Sequence, residues 1–181
     1  MYRNVYHPWL PNSTISNPQF YTPASLSNGH RNTRQLSVFR AVNTSAQPLS
    51  LAIARVEYPE EKIDLNNEYN QNTSTYTPAS NGVYSLHASI YFSPNTPAAG
   101  QQYFLVLFLR INGTVVATET EWIPGGDGVI TVSAIQRLQA GDTVEVLARS
   151  GRDGKINGLA PLSSIPGGGP DKTRFEGARV A

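Results

Sequence analysis

Cysteine is absent from this 181-residue chain, methionine occurs once and tryptophan twice. Without a thiol there is no disulfide scaffold, no thiolate metal site and no cysteine nucleophile, while the compartment stays open. Charge is sparse and nearly balanced, with 14 basic against 13 acidic side chains and a pI near 8.0. Such a chain offers no basic stripe to neutralise a row of phosphates, so nucleic acid is not an expected partner. Long apolar runs are missing too. The longest, Tyr103 to Leu109, has the length of a strand and falls far short of the roughly eighteen apolar residues that a membrane-spanning helix needs, so no membrane insertion is expected. Residues 1–20 show neither an apolar core nor a small-residue cleavage pattern, so export would use a route other than that signal.

Texture divides the chain in two. Residues 1–33 hold Pro8, Pro11, Pro18 and Pro23 without apolar periodicity, and read as an irregular N-terminal arm. That arm nevertheless carries Tyr2, Tyr6, Trp9, Phe20 and Tyr21, an aromatic content expected to pack on a domain, a subunit or a larger assembly. Residues 34–181 are a domain of short runs rich in Val, Ile, Leu, Phe and Tyr, separated by Pro, Gly, Asn and Asp. That rhythm predicts an all-β sandwich or barrel and leaves little room for helix. Strands are expected from Leu36, Leu51, Gly82, Tyr103, Thr114, Gly128, Asp142 and Thr173, with short pieces near 62–65 and 69–76.

Alternation assigns the faces. After Gly82, residues Tyr84, Leu86, Ala88, Ile90 and Phe92 share one face and Ser85, His87 and Ser89 the other, the pattern of a strand with one side in the core. The strand YFLVLFLRI differs, because Phe104, Val106 and Phe108 make its second face apolar as well. A two-layer sandwich buries one face of each sheet, and leaving apolar surface in water forfeits about 25 cal/mol per Å². These three residues are therefore expected at a subunit interface. Asn112-Gly113 after that strand supplies the positive-φ pair of a tight hairpin.

Several motifs invite a chemistry and decline it. PGGGPDKT, Pro166 to Thr173, has Asp171 where a phosphate-binding loop needs glycine before its lysine, and Pro166 where it needs another. His7, His30 and His87 share no metal-ligand spacing. Glu57, Glu60, Glu61 and Asp64 cluster with Lys62 as a solvated strand edge. Asp127 in PGGDGV and Asp153, with Asn157, in SGRDGKING are weak candidates for a Ca²⁺ site in glycine-rich loops, where plain turn chemistry also accounts for them. The sequons at Asn12, Asn43, Asn72 and Asn112 are what chance produces in an Asn- and Thr-rich chain. No nucleophile, base and oxyanion set assembles, and no paired-carboxylate cleft, so no enzyme is expected.

The phrase YTPAS occurs at Tyr21 and again at Tyr76, with no agreement beyond those five residues. The second copy lies in a longer pattern. Tyr58, Asp64, Tyr69, Tyr76, Gly82 and Tyr84 stand at the spacings of the complement C1q-type globular head, which the chain resembles over roughly 34–181. Departures are Tyr for Phe at 58 and 76, Leu86 for Phe and Ala88 for an aromatic. RINGTVV resembles that family's Asn-Gly hairpin, RLQAGDTVEV with Gly141 and Asp142 its Leu-x-x-Gly-Asp segment, and TRFEGARV with Phe175 and Gly177 its closing strand. The resemblance implies a ten-stranded jelly-roll sandwich, shared with the tumour necrosis factor (TNF) family, that assembles as a compact homotrimer. It implies a non-enzymatic recognition or structural head; bacterial relatives form tips of collagen-like filaments, notably on spores. The expected setting is a cell or spore surface or the extracellular space, with no cofactor beyond a weakly indicated Ca²⁺. The expected partners are further copies and a surface protein or glycan. A phage or viral appendage head that binds a cell-surface glycan is the alternative. The chain has no Gly-X-Y repeat, which sets it apart from the filament tips.

Overall fold

The computed structural model describes residues 36–96, 100–158 and 172–181. The N-terminal arm, 1–33, and most of the PGGGPDKT loop lie outside the described residues. Among those described there is no helix. Thirteen strand segments form two antiparallel sheets: β1 (Val38–Val42), β2 (Gln47–Leu49), β3 (Ala54–Arg55), β4 (Glu60–Asp64), β5 (Tyr69–Asn70), β6 (Thr75–Tyr76), β7 (Gly82–Pro94), β8 (Tyr103–Ile111), β9 (Thr114–Ile123), β10 (Gly128–Leu138), β11 (Val144–Ser150), β12 (Gly154–Asn157) and β13 (Arg174–Arg179). The first sheet runs β2-β12-β7-β13-β1-β4, with β10 on the other edge of β7. The second runs β5-β6-β11-β8-β9, with β3 added to β11.

The core lies where the two inner faces meet. Tyr84, Leu86, Ala88, Ile90 and Phe92 of β7 are fully buried, as alternation predicts, and meet Leu105, Leu107 and Leu109 of β8 and Val144, Val146 and Ala148 of β11 in one cluster. At one end the filling is aromatic. Phe39 of β1 stacks on Tyr76 of β6 at 4.1 Å and on Tyr69 of β5 at 5.5 Å, and takes Phe175 of β13 edge-on at 4.8 Å. Rings of both sheets thus interdigitate, in the offset-stacked and edge-to-face arrangements that aromatic quadrupoles favour. Gly177 gives Phe39 its place, since a Cβ there would lie 2.6 Å from the ring.

The family-like spacing has local causes. Asp64 accepts hydrogen bonds from the backbone N–H of Asn66 at 3.2 Å and of Tyr69 at 2.7 Å, folding the 64–69 turn so that Tyr69 enters the core. Tyr69 donates through its hydroxyl to the Tyr58 carbonyl at 2.9 Å. In the YTPAS turn, Pro78 accepts from the Gly141 N–H at 2.9 Å and the Ser80 carbonyl accepts from the Tyr84 hydroxyl at 2.7 Å. Asn112 and Gly113 adopt φ of 48° and 82°, the turn that their spelling predicts. The Asn112 amide donates to Asp142 at 2.8 Å, and its oxygen accepts from the Thr143 N–H at 2.8 Å. Two motifs thirty positions apart are therefore one clasp, with Gly141 at φ 89° in the adjoining turn.

Two expectations are corrected. The strand expected from Leu51 shrinks to the two-residue β3, because Leu51 and Ile53 are exposed and only Ala54 and Arg55 pair with β11. The glycine-rich stretch around Asp153 contains a strand, β12, which pairs with β2 and with the far end of β7. A β-bulge between Leu109 and Arg110 shifts the β8–β9 register by one residue, so that Phe104 lies opposite Trp122.

Phe175→Ala should cost about 3–5 kcal/mol, since it removes a fully buried ring from a cluster shared by both sheets. Chemical denaturation monitored by near-UV circular dichroism measures this loss.

Candidate functional site

Both inner faces are committed to the core, and the outer faces of the two sheets differ in kind. On the first sheet, cross-strand register builds two rows. Ile135, Ser85, Ala178 and Val38 lie side by side across β10, β7, β13 and β1. Beside them run Ser133, His87, Glu176, Arg40 and, on β4, Ile63. Ser85, Ser133 and Ala178 are small, and between them stand larger side chains, of which Ile135 is 71% and Ile63 42% exposed. Its charges are mutually engaged. Glu176 accepts from Arg174 at 3.1 Å and pairs with Arg40 at 3.4 Å, and Arg174 meets the His87 ring nitrogen at 3.3 Å. A shallow groove of about 310 Å³ lies over Val38, Ile63, His87 and Ala178.

The second sheet presents an aromatic face. Phe104, Val106 and Phe108 share one outward strip of β8, as their alternation predicts. That strip is partly covered by its own chain. Trp122 of β9 meets Phe104 edge-on at 5.9 Å, and the Arg149 guanidinium of β11 lies 5.5 Å from the centre of the same ring. Leu147 stands beside Phe108 and Thr118 on its other side. Val106 is consequently only 4% exposed and Leu147 7%, while Phe104 and Phe108 are half-buried and Trp122 remains 64% exposed. Arg110 at the end of the strip is taken by Glu145 at 2.8 Å. Glu119 and Glu121 alternate with Thr118, Thr120 and Trp122 along β9 and pair in register with the core residues Leu107 and Leu105, so they leave this face.

Tyr58, Tyr69, Tyr76, Tyr84, Leu86 and Phe175 all lie in the core, and Gly177 borders it. Gly82 opens β7 close to Arg179 and the chain end, while Asp64 and Asp142 hold turns. Burial raises the phenol pKa of Tyr58, Tyr69, Tyr76 and Tyr84, so each stays neutral and donates its hydrogen bond. The Asp142 carboxyl is held below its usual range by the Gln139 N–H and the Asn112 amide. Asp127 accepts from the Tyr91 hydroxyl at 2.5 Å, and burial with that nearby carboxylate pushes Tyr103 up to about 12. Asp153 is exposed and takes part through its backbone carbonyl, which accepts from Asn95. Among the described residues no three His, Asp or Glu side chains gather as a metal ligand set.

Two residues escaped the reading of the sequence. Glu68, 6% exposed, accepts hydrogen bonds from the Ser37 hydroxyl, from the Tyr76 hydroxyl at 3.3 Å and from the Ala79 N–H at 2.7 Å. Its setting, NNEYN, reads as an ordinary polar loop. Arg149 alternates with the buried Val146 and Ala148 of β11, and only cross-strand register reveals its ring contact.

No family model and no curated relative matches the chain. Solved structures do. The globular domain of a zebrafish complement 1qA protein is similar at 14% identity and TM-score 0.54, over 80% of this chain and 98% of that one. Murine APRIL is similar in crystals at pH 5.0 and at pH 8.5, each at 14% identity, with TM-scores of 0.54 and 0.53, over 81% of this chain and 100% of that one. The fold is thus of the C1q/TNF jelly-roll type.

His87 carries the one pH dependence readable on the first face. Burial, then the Arg174 charge, lowers its folded pKa below the usual 6.5, so the unfolded chain binds the proton more readily and stability falls as pH drops from about 6.5 through the folded value. His87→Gln should flatten that part of the stability profile, as urea denaturation between pH 7.5 and 5 would register.

Proposed function

We propose that the chain is a non-enzymatic head working as a homotrimer, a recognition or structural unit of a microbial surface or spore layer that meets its partner through a face left outside the subunit contact. The observation carrying this reading is a C1q/TNF-type sandwich whose two outer faces differ in kind. The microbial setting rests on the sequence resemblance and its bacterial relatives.

The outer face of the first sheet suits self-association. Ser85, Ser133 and Ala178 leave room for another copy, Ile135 and Ile63 offer apolar area that a single chain leaves in water, and Glu176 is already shared between Arg40 and Arg174. That sharing compensates part of the charge, so a copy covering the row meets fewer unpaired groups, although burying it still costs desolvation. The strip of Phe104, Val106 and Phe108 is the competing contact, favoured by its apolar character. It offers less new area, because Trp122, Leu147 and Arg149 already cover part of it. A second reading, the phage or viral appendage head that binds a glycan, is favoured by the exposed Trp122 indole on this face.

Light scattering on the full chain and on two variants decides among these. The expected result is a mass of three chains for the wild type and for Phe108→Asp, and of one chain for Ile135→Asp. The reverse pattern would return the subunit contact to Phe104, Val106 and Phe108, and a monomeric wild type would refute the trimer.

A further inference from the structure

The aromatic face of the second sheet holds a cation without a counter-ion. Among the described residues the Arg149 guanidinium has the Phe104 ring as its neighbour and no acceptor, and its Nε is buried without a hydrogen-bond partner. The carboxylate that this face does contain, Glu145, is occupied by Arg110. A desolvated guanidinium nitrogen left unpaired is costly, and its remaining donors form a planar fork suited to a carboxylate. On the other side of the same ring, within 6 Å of its centre, stands the exposed indole of Trp122. The edge-to-face contact with Phe104 restricts that indole while leaving it accessible. Thr118 and Thr120, both exposed, continue the β9 row with hydroxyls that donate and accept.

We propose that Trp122, Phe104 and Arg149 form a binding site for an acidic sugar of the uronic acid class. The proposal rests on the reading that this face stays outside the subunit contact. A pyranose ring presents a face of C–H groups with slight positive charge, which the negative face of an indole attracts. Its carboxylate meets Arg149, and its hydroxyls meet the threonines. The chemistry on the face matches each part of such a ligand: an open aromatic platform, a fixed positive charge and neutral hydroxyls beside it. A neutral sugar would leave Arg149 unpaired, and an acidic peptide would leave the hydroxyl row without use.

The test uses the full-length chain, labelled with ¹⁵N, and three probes: a trimer of galacturonic acid, its methyl ester and a hexapeptide of glutamate. Chemical shifts of the Trp122 indole N–H, identified by its loss in Trp122→Ala, report binding at the site. The acid should move that signal, and the ester should bind about tenfold more weakly, since it keeps the rings and loses the charge-assisted hydrogen bond. Arg149→Gln should weaken the acid by about the same factor and leave the ester unchanged. Equal binding of acid and ester, an unmoved signal, or a peptide that binds as well as the acid overturns the proposal; the last would assign the face to a protein carboxylate. The acid and ester comparison needs only the wild-type chain and does not depend on a variant folding. Light scattering on Trp122→Ala separates the two readings: a mass reduced from three chains to one would mean that the face is the subunit contact, and would sink the assignment of faces itself.

Discussion

The structure depends on the stacking of Phe39 between the sheets. Its ring belongs to β1 of the first sheet, yet its stacked neighbours, Tyr69 and Tyr76, come from β5 and β6 of the second, and Phe175 closes the cluster from β13. β5 and β6 are two residues long each and could not hold an edge by backbone pairing alone. The rings hold them. Tyr76 in turn anchors the 76–81 turn, whose Pro78 and Ser80 carbonyls receive bonds from Gly141 and Tyr84. The family-like spacing of aromatics is thus the spacing required to bring four strands and two turns onto one ring.

Because the interior is closed by these contacts, differences between the two outer faces carry little structural cost and are available for function. One face is shallowly grooved, with Ser85, Ser133 and Ala178 among charges that answer each other. The other is aromatic, with a guanidinium that nothing among the described residues answers.

How much of this could be read in the sequence varied with the length scale. β8 spans the expected run YFLVLFLRI to the residue and β10 starts at the expected Gly128, because each is a long apolar-rich run bounded by turn residues. The run from Leu51 misled, since apolar residues on an exposed loop imitate the pattern of a strand. β2 and β12 escaped notice because β2 pairs with β12 and β12 with the far end of β7, over separations that local propensity does not encode. The core aromatics were legible from their spacing, whereas Glu68 was not: a buried carboxylate with three neutral donors leaves no mark on the letters around it. The strip of Phe104, Val106 and Phe108 was visible along β8, but the side chains beside it, Trp122 and Arg149, became known only once the strands were paired.

That pairing turns on the bulge between Leu109 and Arg110. The side-chain period of a strand is two, so one extra residue on β9 exchanges its faces over the entire stretch beyond it. With the bulge, Trp122 and the threonines face outward and Glu119 and Glu121 pair with core positions. Without it, Phe104 would stand opposite Glu121, and an acidic row would replace the aromatic one. A single in-frame codon deletion near Val116 would therefore reverse the character of the surface, at the cost of turning Ile123 out of its core contact with Gly128 of the opposite sheet. An insertion or deletion at this hairpin is thus a shorter route to a different outer face than a series of substitutions.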